Sequence, residues 1–512
     1  MGAISSRAWW LRGRRAPEEP AEEPGAARDG EEAVEAEAAL GREEGEVRLT
    51  ASQSSQRRNV GLKGPLAKSL CLECAEGKSR PIYEALFLRG ENSDVQIRAL
   101  GEEWRLHRVY LCQSGYFAGM FSGAWRETNM DIIEIQIPDE NIDREALHEV
   151  LGYLYRHVLH IPPYRVIAIL ATASMLQLEE LIGQCEEIMR ETVREQTVCR
   201  YYYSAENYGL PNIRAICLQW LLDNLLTQHS EQLLLDVSLD LMKELISSSE
   251  LLVVEVEMDI YIMLKKWMFL QLQPTWRNPR RAILPEADLW FARHRRESGA
   301  ASFLETEQGR AFVPVFQQLR LTYIICDLPS SRITERDAVI PATWLSPEYR
   351  EQWLALLQAE QSRQLGPTEV HMCDFHRSSM RCGGQIYRDE RCSWKWSGFN
   401  VGWDLVVCYI NRCVVLCRSM PGTAYSRDVS SLCQRRVAIR IRLVSLDRAG
   451  RAIFRKDTGY KLLCLRKDQE LLVLNLENQD LEFPIYMACN FMYLPGETGT
   501  ARGEDPSRRP ES

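Results

Sequence analysis

The order of apolar and polar positions divides this chain before any other property is considered. In Asp94–Ala99, Val95, Ile97 and Ala99 alternate with polar neighbours, the period of a half-buried strand, and Ile133, Ile135 and Ile137 repeat that period around Glu134 and Gln136. Three helical stripes follow, Leu147/Val150/Leu151/Leu154, Val166/Ile169/Leu170/Ala173 and Leu178/Leu181/Ile182/Cys185, with Pro162-Pro163 between the first two. Residues 82–190 therefore predict a small mixed α/β domain closed by helices. From 193 to 328 the pattern is helical almost throughout, with one stripe at Leu234/Val237/Leu241/Leu245, another at Ile260/Leu264/Trp267, and Ser247-Ser248-Ser249 as punctuation. Residues 329–365 predict a helical connector running through Trp344 and Trp353. Period two then returns: Val437/Ile439/Ile441/Leu443 alternates with Ala438/Arg440/Arg442, Asp447–Gly450 reads as a turn, and Leu472/Leu474/Leu476 alternates again. Residues 366–498 are thus expected to form a β-rich domain, and the whole a multidomain α+β protein.

Composition changes this picture mainly at the ends. The 512 residues are 45% hydrophobic and 26% charged, ample for several packed cores, and the formal net charge of −9 argues against a general nucleic-acid binder. Much of that charge is local. Residues 17–46 hold twelve acidic and two basic residues, whereas Arg7, Arg12, Arg14 and Arg15 make the first fifteen +4. Residues 1–80 are poor in aromatics after Trp10 and predict a disordered tail, as do residues 499–512. Met1-Gly2-Ala3-Ile4-Ser5-Ser6 fits the pattern for myristoylation at Gly2, and the nearby arginines with Trp9 and Trp10 would supply a second signal for contact with a membrane surface. No signal peptide is expected, because those tryptophans are enclosed by arginines. The longest apolar run, Val406–Cys417, is interrupted by Asn411 and Arg412, so no membrane span is expected. The sixteen cysteines are diluted, and Cys112, Cys185 and Cys217 sit in apolar runs, which reads as reduced thiols.

The run Trp104-Arg105-Leu106-His107-Arg108-Val109-Tyr110-Leu111 to Tyr116-Phe117 and Met120-Phe121 follows the Asp94 strand. It resembles the BTB/POZ signature. Val109, Leu111, Phe117 and Phe121 are expected to build its helical core, with Asp94 and His107 near the surface such a fold uses for self-association and homodimer formation. For His107 itself a core-capping role is favoured over a ligand role, since no metal partners stand at ligand spacing. Cys199, Ala205-Glu206, Tyr208-Gly209, Cys217–Leu221 and Glu257–Tyr261 resemble a BACK domain. The pair of resemblances implies an adaptor for cullin-3. Trp125-Arg126-Glu127 occupies the place of that family's hydrophobic-x-Glu element, so Trp125 and Glu127, with Tyr116 and Phe121, are the implied cullin contacts.

Kelch repeats and tandem zinc fingers are missing from the pattern. Leu86–Asp94, Met258–Leu270, Phe303–Gly309 and Gly398–Gly402 instead resemble the germ cell-less proteins. That resemblance implies a substrate adaptor of a cullin-3 ubiquitin ligase, association with the nuclear envelope or matrix, and a role in germ-cell development and spermatogenesis. The alternative it leaves open is a scaffold that tethers transcription or lamina-associated factors without ubiquitin transfer. The chain departs from the family in lacking strong basic import clusters ahead of the BTB region. No catalytic set is assembled, no cofactor is called for, and direct binding of nucleic acid is not expected. His371, Cys373, His376, Cys382 and Cys392 are dense but match no standard zinc spacing, so no metal is expected either. Trp394, Trp396, Phe399 and Trp403 cluster within ten residues; they are candidate contacts for protein substrates, with core packing the commoner use of such spacing.

Overall fold

The computed structural model describes residues 83–123, 126–228, 230–297, 301–361, 369–396, 405–417, 434–466 and 469–493; Gly2, Trp125, Phe399 and Trp403 lie outside them. Strands β1 (Val95–Ala99), β2 (Glu102–Leu106) and β3 (Ile132–Glu134) form a sheet in the order β2-β1-β3. β1 and β2 are antiparallel with Val95 opposite Leu106, and β3 lies parallel to β1 with Ile133 opposite Ile97. The alternating residues Val95, Ile97, Ala99, Ile133 and Ile135 are all buried, as period two requires. Helices α1 (Arg108–Leu111), α2 (Gly115–Phe121), α3 (Arg144–Arg156), α4 (Val166–Leu176) and α5 (Glu179–Thr192) cover the sheet. Asp143 starts α3 by accepting the Ala146 N–H at 2.7 Å, and His157 ends it in the left-handed region. One core expectation fails: Leu111 and Phe117 are buried, but Val109 is 74% exposed. α1 is a single turn, and Leu111 takes its inward direction.

The middle of the chain is helical: α6 (Val198–Asn207), α7 (Pro211–Asn224), α8 (Glu231–Asp236), α9 (Leu239–Ser247), α10 (Glu257–Leu272), α11 (Ile283–Glu297), α12 (Val313–Phe316), α13 (Leu321–Ile324), α14 (Leu328–Asp337) and α15 (Ala342–Gln361). The stripe Leu234/Val237/Leu241/Leu245 is buried, yet it spans two helices rather than one. Ser238 breaks it, its hydroxyl accepting from the Leu241 N–H while the Val237 carbonyl accepts from the Trp267 indole at 3.0 Å. α10 is apolar nearly all round and sits at the centre, burying Ile260, Leu264 and Trp267. A single apolar core runs from Phe87 to Leu345, so the first sheet's helices and the middle helices are continuous inside.

After α16 (Met372–Ser378) come β4 (Met380–Ile386), β5 (Cys392–Trp396), β6 (Leu405–Ile410), β7 (Cys413–Cys417), β8 (Gln434–Leu446), β9 (Ala452–Asp457), β10 (Lys461–Arg466), β11 (Leu471–Asn475) and β12 (Ile485–Tyr493). They make two sheets, β10-β8-β12-β4 with β9 on β8, and β11-β7-β6-β5, whose inner faces share a second core. The apolar run Val406–Cys417 folds back on itself as the β6–β7 hairpin: Asn411 and Arg412 take φ of 49° and 59°, the geometry of a two-residue primed turn. Alternation at Leu472/Leu474/Leu476 is upset by a bulge between Leu472 and Leu474, which leaves Leu472 60% exposed while Val473 and Leu474 are both buried. Among the described residues, no helix is long and apolar enough to cross a membrane. Cys185 and Cys217 are buried free thiols, each pushed by burial up to about 12, while Cys112 is exposed despite its apolar neighbourhood.

Candidate docking surface and the junction behind it

At the end of β2 the chain turns into α1, and three neighbouring groups fix that corner. Asp94 accepts the backbone N–H of Arg108 at 2.8 Å. His107, 8% exposed, donates its backbone N–H to the Tyr155 hydroxyl at 3.0 Å; its ring spans that hydroxyl at 3.2 Å and the Glu91 carbonyl at 2.9 Å. Both residues singled out in the sequence are therefore braces of the fold, and Val109, which follows them at the start of α1, is an exposed apolar side chain. Arg108 is the residue that sequence reasoning missed. It donates to the carbonyls of Thr128 at 2.8 Å and Met130 at 2.6 Å, and its guanidinium lies 4.7 Å from the centre of the Phe121 ring. Thr128 in turn bonds the Met120 carbonyl at 3.0 Å. These contacts bolt the 3-10 turn Arg126–Asn129, which contains Glu127, to the end of α2. Half-buried Tyr116 and Phe121 line the same ledge.

In the β-rich region the two candidate aromatics among the described residues, Trp394 and Trp396, carry packing. Trp396 is buried with its ring 5.9 Å from that of Phe491. Trp394 lies half-buried across Gly384, where a Cβ would stand 2.2 Å from the indole nitrogen. The His/Cys set is dispersed: His376 bonds the Ser249 hydroxyl at 2.6 Å, Cys382 is buried opposite Cys489, and Cys373 is exposed. Among the described residues, no three His, Cys, Asp or Glu side chains gather as a metal site would require.

The contact between the middle helices and the β-rich region was not anticipated. Arg440 and Arg442 alternate with a buried apolar row, which reads as a solvent face, yet Arg442 is 3% exposed. It donates to the Glu250 carbonyl at 2.7 Å, to the Glu250 carboxylate at 3.0 Å and to the Ser249 carbonyl at 3.1 Å. Arg440 pairs with the same carboxylate and with Asp457. Deeper in, Arg381 holds the two oxygens of Glu257 at 2.9 and 3.0 Å and donates to the Ile246 and Ser248 carbonyls. Arg320 reaches the His376 carbonyl at 2.6 Å, and burial together with the Arg381 charge pushes it down to about 9. Gly383 permits this approach, because a Cβ there would be 2.0 Å from the Val253 carbonyl oxygen. At the far end of β8, Trp220 and Asn224 of α7 donate to the carbonyls of Ala449 and Gly450 at 3.0 and 2.8 Å. No local pattern in the sequence pointed to this junction.

A three-stranded sheet capped by five helices, with a bolted ledge at α2, defines a BTB/POZ protein, and the family model described as BTB/POZ domain matches residues 83–193. Germ cell-less protein-like 1 of Homo sapiens is 52% identical over 419 residues, 82% of this chain and 81% of that protein. Protein germ cell-less of Drosophila melanogaster is 31% identical over 437 residues, 81% and 76% of the two chains. Kelch repeat protein M-T8 of Myxoma virus (strain Lausanne) is 30% identical over 163 residues, 32% and 30%. The chain belongs to the germ cell-less family.

Proposed function

We propose that this chain is a non-catalytic substrate adaptor of a cullin-3 ubiquitin ligase, working at the nuclear envelope in germ-cell development. The observation that carries the reading is the α2 ledge: a BTB/POZ helix with half-buried Tyr116 and Phe121, followed by a turn that Arg108 clamps rigidly in place. Trp125 would be the aromatic anchor on that ledge and Glu127 its charged neighbour, the pairing of residue types that dominates interface energetics. The face beside Asp94 and His107, with Val109, would pair two copies, so that substrate capture is bivalent. The helical region would serve as a BACK domain, and the β-rich region would present substrate through Trp394, Phe399 and Trp403, with buried Trp396 as support. A myristoyl group on Gly2 would add contact with a membrane surface.

The test uses the full chain and the N-terminal part of cullin-3. Saturable binding is expected, weakened about tenfold or more by Trp125→Ala and Glu127→Ala at unchanged melting temperature. A folded, dimeric wild-type chain that fails to bind would overturn the adaptor reading in favour of a tether.

A further inference from the structure

Where two helices meet, the helical region places five arginines, and exposed Glu335 between Arg332 and Arg336 accepts from the Tyr349 hydroxyl at 3.0 Å. α11 buries Ile283, Ala287 and Phe291 and turns Leu289, Arg293 and Arg296 outward, Leu289 at 68% exposure. α14 exposes Arg332 and Arg336, and Arg295 joins the two helices by donating to the Arg336 carbonyl at 2.9 Å. Elsewhere guanidiniums meet carboxylates, as in Arg381 with Glu257, Arg442 with Glu250 and Arg165 with Asp143. Here, among the described residues, no carboxylate pairs with Arg293, Arg295, Arg296 or Arg332. Arg336 has only Asp337 at 3.5 Å, a carboxylate whose other oxygen is held by Lys265. Like charges spaced three and four apart on a helix oppose each other. The last-turn position of Arg295 and Arg296 suits the helix dipole, but it gives no reason for Arg332, one turn before Arg336 on the facing helix.

We propose that the acidic segment 17–46 of the same chain docks on this arginine face. Its twelve carboxylates against two arginines make it the complementary charge. Thirty-six residues separate Glu46 from Tyr83. A chain of that length spans roughly 35 Å on average, the scale of a domain. Tethering at that length gives an effective concentration on the order of millimolar, which a free polyanion would have to match. The contact is diffuse and electrostatic, and it screens with salt.

The test is hydrogen exchange of the full-length chain over residues 286–297 and 328–337, at low and high salt. Wild type is compared with a variant whose twelve acids in 17–46 are changed to Gln or Asn, and with Arg293→Gln/Arg296→Gln/Arg332→Gln. About fivefold slower exchange in wild type at low salt, lost in both variants and in high salt while the melting temperature holds, is the expected result. Equal exchange in wild type and the neutralised-tail variant would overturn the proposal. So would protection that comes only when anionic phospholipid vesicles or single-stranded RNA are added, since the face would then belong to a membrane or a nucleic acid.

Discussion

Glu257 is 1% exposed, and both of its oxygens are committed to Arg381. A pair so deep is costly to form and more costly to halve, because the remaining charge has no water to turn to. Glu257→Gln should therefore destabilise the chain by about 3–5 kcal/mol in chemical denaturation, and a loss under about 1 kcal/mol would show that Arg381 finds another partner. His148 gives a second, gentler case. The Trp104 indole donates to its Nδ1 at 3.1 Å, which requires the neutral ring, and burial holds its pKa below the ordinary 6.5 against the opposing pull of Glu149. As pH falls below about 6.5 the unfolded chain takes the proton first, so stability from this site is full above that pH and declines beneath it. His148→Asn should flatten the fall in melting temperature between neutral and mildly acidic pH; an unchanged slope would assign the fall to other groups. No sequence pattern marks His148 for this role, since its acceptor function depends on an indole forty-four positions away.

At the scale of elements the apolar periods were faithful wherever one face alone was buried. Val95/Ile97/Ala99 and the three helical stripes of the BTB/POZ region fell where period two and period 3.6 put them. The exceptions have local causes: a serine that caps a new helix at 238, a bulge between Leu472 and Leu474, and a one-turn α1 too short to bury both Val109 and Leu111. The β6–β7 turn was legible as a break but not as a hairpin. Because Asn411 has φ of 49°, Asn411→Val should cost about 1 kcal/mol and Asn411→Gly should be neutral or slightly stabilising, measured by thermal melting. Equal effects of the two would mean that the turn has relaxed to another conformation.

For the whole molecule, family and fold class could be read from linear motifs, whereas the join between its parts could not. Arg381, Arg440 and Arg442 meet carboxylates more than a hundred residues away, and no local pattern encodes such a meeting. The candidate docking ledge was half legible: Tyr116 and Phe121 stood in a recognisable run, but the clamp by Arg108 depends on carbonyls brought back by β3. Since the apolar cores meet across this polar seam, the described parts should unfold together. A single cooperative transition is expected for wild type, and Gly383→Val, which drives a side chain into the Val253 carbonyl, should split it into two in calorimetry. One unsplit transition at a merely lower temperature would show that the seam gives way without separating the parts.

Strand β8 is covered on one side by the second core and on the other by the loop carrying Ser249 and Glu250, while its far end is held by α7. In mechanical terms this is a beam clamped at several points rather than a hinge. A load applied to the ledge at α2 would pass through the continuous helical core into the sheets with little bending. Stretched from its two ends in a force measurement, the described body should resist and then fail in one event, and whatever the β-rich region holds would be kept at a fixed distance from whatever the ledge grips.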